Sequence, residues 1–165
     1  MIEMEVIVRP AQLADYSDVR SIYKSVIKDY HTFLAERGLN ENLSDNLDIE
    51  SFRFYVSGQS SFVALTENKS IIGFILAQKI DWINGNEKTL WLEYIAVSPN
   101  YRRHSIGLKL LEEVKKYARE HSIDALYSTL NVDNEPSKRL LVKSGFTVKD
   151  WRIAFQLPNL HKEKT

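Results

Sequence analysis

Apolar and polar positions along this chain follow two different periods. Val6-Ile7-Val8 is a short apolar run closed by Arg9-Pro10. Proline has no N–H and holds its predecessor extended, so a first strand is predicted to end there. From Asp15 the period lengthens. Val19, Ile22, Tyr23, Val26, Ile27, Tyr30, Phe33 and Leu34 recur at helical spacing. Asp15 is placed to cap that helix, Asp18 lies in its first turn, and Gly38 is its natural stop. Leu39 to Asp48 is polar and asparagine-rich and reads as a loop. Asp48 then caps a second, short helix over Ile49 to Ser57, closed by Gly58.

Strand-like runs follow. Ser61 to Leu65 and Ile71 to Ala77 flank the turn-rich Glu67-Asn68-Lys69-Ser70, and Gly73 inside a strand marks a bulge or a close backbone approach. Asn84-Gly85 is a strong turn dipeptide. Leu90 to Val97 is apolar on both faces except at Glu93, the pattern of a central buried strand. Ile106, Leu110, Leu111, Val114 and Ala118 form the stripe of a helix whose wet face carries Lys109, Glu112, Glu113, Lys116 and Arg119. Ala125 to Leu130 is a further strand. Asn131 to Pro136 turns into a last helix, with proline in its first turn and Gly145 as its stop. Phe146 to Lys149 and Trp151 to Leu157 are the expected final strands, and the polar tail from Pro158 to Thr165 is expected to fray. The order is strand, two helices, three strands, helix, strand, helix, two strands, an α/β domain around a mixed sheet.

Composition narrows the function. At 165 residues, one domain spanning 1–165 is expected. Lys+Arg and Asp+Glu are both 22, so no global basic field draws the chain to nucleic acid or an anionic membrane. The absence of cysteine excludes disulfides, thiolate metal sites and cysteine nucleophiles. The acidic start Met1-Ile2-Glu3-Met4-Glu5 is not a signal peptide, and no run has the length of a membrane helix, so a cytoplasmic protein is expected. His31, His104, His121 and His161 have no metal-ligand spacing, so no metal is expected. A plain nucleotide-binding domain is excluded by the lack of a phosphate-loop Gly-Lys-Ser/Thr.

Candidate chemistry concentrates in the turn after the central strand. From Val97 to Glu112 the chain passes from strand to helix through Tyr101-Arg102-Arg103-His104-Ser105-Ile106-Gly107. The first turn of a helix carries N–H groups with no intrahelical partner and partial positive charge, which makes it an anion site. Arg102, Arg103 and His104 add donors, and Gly107 leaves room for close approach.

This stretch resembles the acyl-CoA motif of the GNAT superfamily of N-acetyltransferases, Arg/Gln-x-x-Gly-x-Gly/Ala. Ser105 replaces the first glycine, and Arg103 stands where a further glycine is common. Asn134, Ser137, Leu140 and Gly145-Phe146 resemble a second GNAT motif, and Arg9-Pro10-Ala11 with Asp15 resembles the start of many members. The resemblance implies a GNAT fold, with a mixed, mostly antiparallel sheet flanked by helices. It also implies acetyl-CoA as co-substrate and an amine acceptor, with no nucleic acid or membrane partner. A homodimer is compatible with it. Arg102, Arg103, His104, Ser105, Ile106, Gly107 and Leu108 would cradle the pyrophosphate. Backbone at Ile95, Ala96 and Val97 would hold pantetheine and face the thioester oxygen. Asn134 would assist, a role compatible with its other reading as a helix cap.

Aminolysis of a thioester needs a neutral amine, so a base must remove a proton. Glu93 is the acid on the strand leading into the motif, and burial in an apolar strand would push its carboxyl up toward the range of a base. Its other reading is a strand glutamate facing solvent or a lysine. The family's leaving-group tyrosine would fall at Leu141, which cannot donate a proton; Tyr94, Tyr101 and Tyr127 are candidate substitutes. Tyr30 and Phe33 on the first helix would line the acceptor side, and ordinary core packing explains such aromatics equally well. The expected reaction is direct transfer of acetyl from acetyl-CoA to a primary amine: a protein N-terminus, a lysine, a polyamine or a small amine. The rival is a non-catalytic acyl-CoA-binding sensor or interaction module.

Overall fold

A computed structural model describes residues 4–38, 46–83, 85–130 and 133–149. The chain divides into two compact units, residues 1–130 and residues 131–165. The first holds a five-stranded sheet in the order β1 (Val6–Pro10), β2 (Phe62–Thr66), β3 (Ile71–Ile83), β4 (Asn86–Val97), β5 (Ala125–Ser128). All neighbours are antiparallel except β4 and β5, which are parallel and joined through α3 (Ile106–Glu120). Two helices, α1 (Tyr16–Ala35) and α2 (Ile49–Ser57), precede β2. The second unit contains α4 (Glu135–Lys143). No helix among the described residues is long and apolar enough to cross a membrane.

Local chemistry explains most boundaries. Asp48 accepts the Ser51 N–H at 2.8 Å and starts α2, and Gly38 and Gly145 take positive φ after α1 and α4. Asp15 departs from its expected role. It sits at the N-cap position of α1 without capping it. Its buried carboxylate turns back instead, accepting the Gln12 N–H and two bonds from the Arg9 guanidinium, each at 2.8 Å. Burial pushes the Asp15 carboxyl up, but the Arg9 and Gln12 hydrogen bonds and the Arg9 charge outweigh it and hold the group below its usual range. β1 is thereby tied to the entry of α1. The strand expected over Phe146–Lys149 is not formed, because those residues have no ladder partner among the described residues. The one expected over 151–157 lies outside them.

The core has two layers. Val19 and Tyr23 of α1 and Phe52 of α2 pack with Val63, Phe74, Leu76 and Ala96 on one face of the sheet. On the other face, α3 buries Ile106, Leu110, Leu111 and Val114. Gly73 sets how closely α3 can approach. A Cβ there would lie 3.1 Å from the Ala96 carbonyl oxygen and 3.2 Å from Ile106 Cγ2. The missing side chain lets the first turn of α3 rest directly on β3 and β4, next to the end of β4.

Candidate active site

Two irregularities of β4 open the sheet where the chemistry was expected. In the ladder with β3, Leu76 faces Tyr94 and Ala77 faces Leu92, so Glu93 has no partner and forms a β-bulge. The parallel ladder with β5 runs only from Thr89↔Ala125 to Leu92↔Ser128. Ser128 Oγ donates to the Leu92 carbonyl at 3.2 Å where pairing stops. Beyond that point Tyr94 to Val97 pair with β3 alone among the described residues. On the side away from β3, the backbone of this stretch, which includes Ile95, Ala96 and Val97, has no ladder partner among the described residues.

The turn after β4 presents backbone N–H groups. A short 3-10 turn, Pro99–Tyr101, leads to Arg102. Arg103 (φ 68°) and Ser105 (φ 58°, ψ 16°) are then left-handed. These are the two positions where glycine would have been the undemanding choice. After Arg102, the next N–H to find a backbone acceptor is that of Lys109, on the Ser105 carbonyl at 3.0 Å. The N–H groups from Arg103 to Leu108 have no acceptor among the described residues. They converge at the positive end of a 15-residue helix. Relieving the left-handed strain is testable: Ser105→Gly should raise stability by about 0.5–1 kcal/mol, the strain less the added chain entropy. A melting temperature at or below wild type would count against that account.

Side chains around the turn are less free than their sequence positions suggest. Arg102 donates to Asp29 of α1 at 2.9 Å and, through Nε, to the Val97 carbonyl at 3.5 Å. His104 Nδ1 lies 2.9 Å from the Arg102 carbonyl oxygen. Arg103 is exposed, and Ile106 is core, so Ile106 can serve a ligand through its backbone only.

Glu93 is exposed, which fits the solvent-facing one of its two readings, because the bulge pushes it out of the ladder. It has neither ion pair nor hydrogen bond among the described residues. Tyrosines from three elements gather beside it. Tyr94 stands edge-on to Tyr23 of α1 at 5.3 Å and to Tyr55 of α2 at 6.1 Å between ring centroids. Burial first, then the Glu93 charge, pushes the Tyr55 phenol up to about 12. Tyr94 is also raised, by burial, by both neighbouring tyrosines and by Glu93. Both phenols therefore stay protonated at neutral pH.

Residues 20–146 match the acetyltransferase (GNAT) family. The chain belongs to the GNAT family. A GCN5-related N-acetyltransferase 7, chloroplastic, from Arabidopsis thaliana is 33% identical over 72 residues, 44% of this chain. That match spans only 26% of the Arabidopsis protein's length. A solved tetramutant of the BH1408 protein from Bacillus halodurans shares the fold at 22% identity, covering 92% of this chain and 99% of that one, with a TM-score of 0.70. The aminoglycoside N-acetyltransferase AAC(6')-Iy, solved with CoA, does so at 18% identity, 94% and 96% coverage and a TM-score of 0.73.

The remaining expected residues of this GNAT chain are placed as follows. Asn134 Oδ1 accepts the Ser137 N–H at 3.2 Å and caps α4 within the second unit. Leu141 is 4% exposed, so a tyrosine in its place would overpack. Tyr30 and Phe33 stack on each other at 5.8 Å, and Arg37 lies over the Phe33 ring at 3.7 Å. Tyr127 is engaged far along β4, its hydroxyl accepting from Asn86 Nδ2 at 3.1 Å. Sequence reasoning missed Asp29. It placed Tyr23 and Tyr55 on helices that the resemblance puts on the acceptor side and offered Tyr94 as a proton donor, but it did not bring the three together.

Proposed function

We propose that this chain transfers an acetyl group from acetyl-CoA directly to a primary amine. The observation that carries the reading is the run of unpartnered backbone N–H groups from Arg103 to Leu108 at the start of α3, beside the half-paired end of β4. That donor set suits a pyrophosphate and needs no metal. Family membership and a fold shared with a transferase solved with CoA support it. Bound acetyl-CoA supplies an acyl group activated by a thiolate that leaves readily.

The chain's own residues do the rest. Backbone N–H groups of residues 103–108 bind the diphosphate, with Arg103 and His104 beside them. Arg102 either keeps Asp29 or exchanges it for phosphate. Backbone at Ile95 to Val97 orients the pantetheine arm. Glu93, exposed and unpaired, takes the proton from the incoming ammonium, directly or through water. Tyr94 and Tyr55 stay protonated near it and do not compete as bases. Acceptor amines within reach of this chemistry are a protein N-terminus, a lysine, a polyamine or a small amine. Leucine at position 141 favours the rival, a non-catalytic acyl-CoA sensor, which predicts binding without turnover.

Two measurements test the proposal. CoA at roughly 100 times its Kd should raise the melting temperature by about 5–10 °C, since it binds only the folded chain. Gly107→Val should remove that shift, because a branched side chain at the second position of α3 crowds the N–H groups. The ligand-induced shift is compared, not the absolute melting temperature, because Gly107 is buried. A wild-type chain indifferent to CoA removes the proposal. A shift without thiol release over a panel of amines leaves the sensor.

A further inference from the structure

α1 carries a second feature that acetyl transfer leaves unused. Tyr23, Lys24, Ile27, Lys28 and His31 line an open depression of about 250 Å³. Lys24, Lys28 and His31 follow one another at four and three residues, so they form one stripe along the helix. Tyr23 and Ile27 form the neighbouring, apolar stripe. All three basic residues are exposed, and none has an ion pair or side-chain hydrogen bond among the described residues. Asp29 lies between them in sequence but is turned to Arg102 at 2.9 Å. A chain with zero net charge thus concentrates unpaired positive charge on one stripe.

The depression shares one residue with the tyrosine cluster beside Glu93. Tyr23 belongs to both: it lines the depression, and its ring stands 5.3 Å from that of Tyr94, the residue after Glu93. The acceptor side therefore has a carboxylate at one end and two ammonium groups at the other. An amine carrying an anionic group satisfies both ends. A polycationic acceptor satisfies Glu93 but sets its further ammonium groups against Lys24 and Lys28.

We propose that the acceptor is an amine whose carbon skeleton also bears a carboxylate or phosphate, held by Lys24 and Lys28 over the Tyr23–Ile27 floor. This rests on the acetyl-transfer reading for the amine end, while the anion end stands on the depression and its unpaired lysines. Such a preference also separates this chain from the aminoglycoside transferase that shares its fold, whose named substrates are polyamines by chemistry.

The test is equilibrium binding by calorimetry to the CoA-loaded full chain. The probes are amidated peptides of one length with a free N-terminal amine, carrying glutamate, glutamine or lysine at the second and third positions. Phosphoethanolamine and β-alanine, each against ethanolamine, separate phosphate from carboxylate. Glutamate peptides should bind about tenfold tighter than glutamine peptides, and lysine peptides weakest. The preference should fall to about twofold in Lys24→Gln/Lys28→Gln, and also in about 0.5 M salt. Both lysines are exposed, so the variant should keep the wild-type melting temperature. Equal or inverted affinities, a preference unchanged in the variant, or no acceptor binding at all would overturn the proposal. Thiol release measured in parallel keeps the two readings apart. Ordered binding without turnover removes catalysis and upholds the anion site; turnover without the order does the reverse.

Discussion

Glu93→Gln is expected to leave the CoA-induced thermal shift intact and to lower turnover about 10²–10⁴-fold, the usual size of a general-base contribution. The two effects separate because the nucleotide end of the site is built from backbone after Val97, whereas Glu93 lies in the bulge before it. Glutamine keeps size and polarity at an exposed position, so stability should not change. The defect should shrink as pH rises, because more acceptor arrives already neutral. Measured as kcat/KM across a pH series, a variant matching wild type at every pH would eliminate Glu93 as the base. Water or the acceptor's own groups would then be left to take the proton.

A comparable effect on folding is expected at Asp15. Asp15→Asn removes one partner of a nearly buried ion pair and strands the Arg9 guanidinium. Breaking a buried pair costs about 3–5 kcal/mol, and the exposed side of Arg9 reduces this to about 2–3 kcal/mol. The pH dependence has a definite sign. The folded-state pKa of Asp15 is depressed, so its stabilisation is present in full above the unfolded-state value, near 4. It is lost as pH falls through the folded-state value. Denaturant melts of both proteins at neutral pH and at successively lower pH should therefore converge in acid. Curves separated by a constant gap down to the lowest pH would show that the ion pair is not the cause.

What could be read in the sequence was local. Asp48, Gly38 and Gly145 bound their helices because a cap or a left-handed stop depends on a few neighbouring residues. The strand-turn-helix around residues 97–112 was legible for the same reason. Ser105 sat on the border: its replacement of glycine was visible, but whether the backbone would still turn left-handed depended on packing by Gly73 and Ile106. Relations between distant residues left no trace. Arg102 and Asp29 are 73 positions apart, and nothing near either one announces the other. Asp15 looked like a cap because its partner Arg9 precedes the helix. Glu93 kept both a buried and a solvent-facing reading because alternation along β4 says nothing about the register of β3 opposite.

That register gives the bulge a property of another kind. With Leu92 facing Ala77 and Tyr94 facing Leu76, Glu93 is the one residue of this segment the ladder could lose without shifting any neighbour's partner. Shortening the chain by that residue would splice Leu92 to Tyr94 and leave a regular antiparallel strand, with each pair already in place. Substitutions elsewhere in β4 exchange one side chain for another. An excision at 93 would take the carboxylate and the bend in a single event, and the sheet would be straighter for it. The proposed base thus occupies the one position here that carries chemistry without carrying any of the pairing.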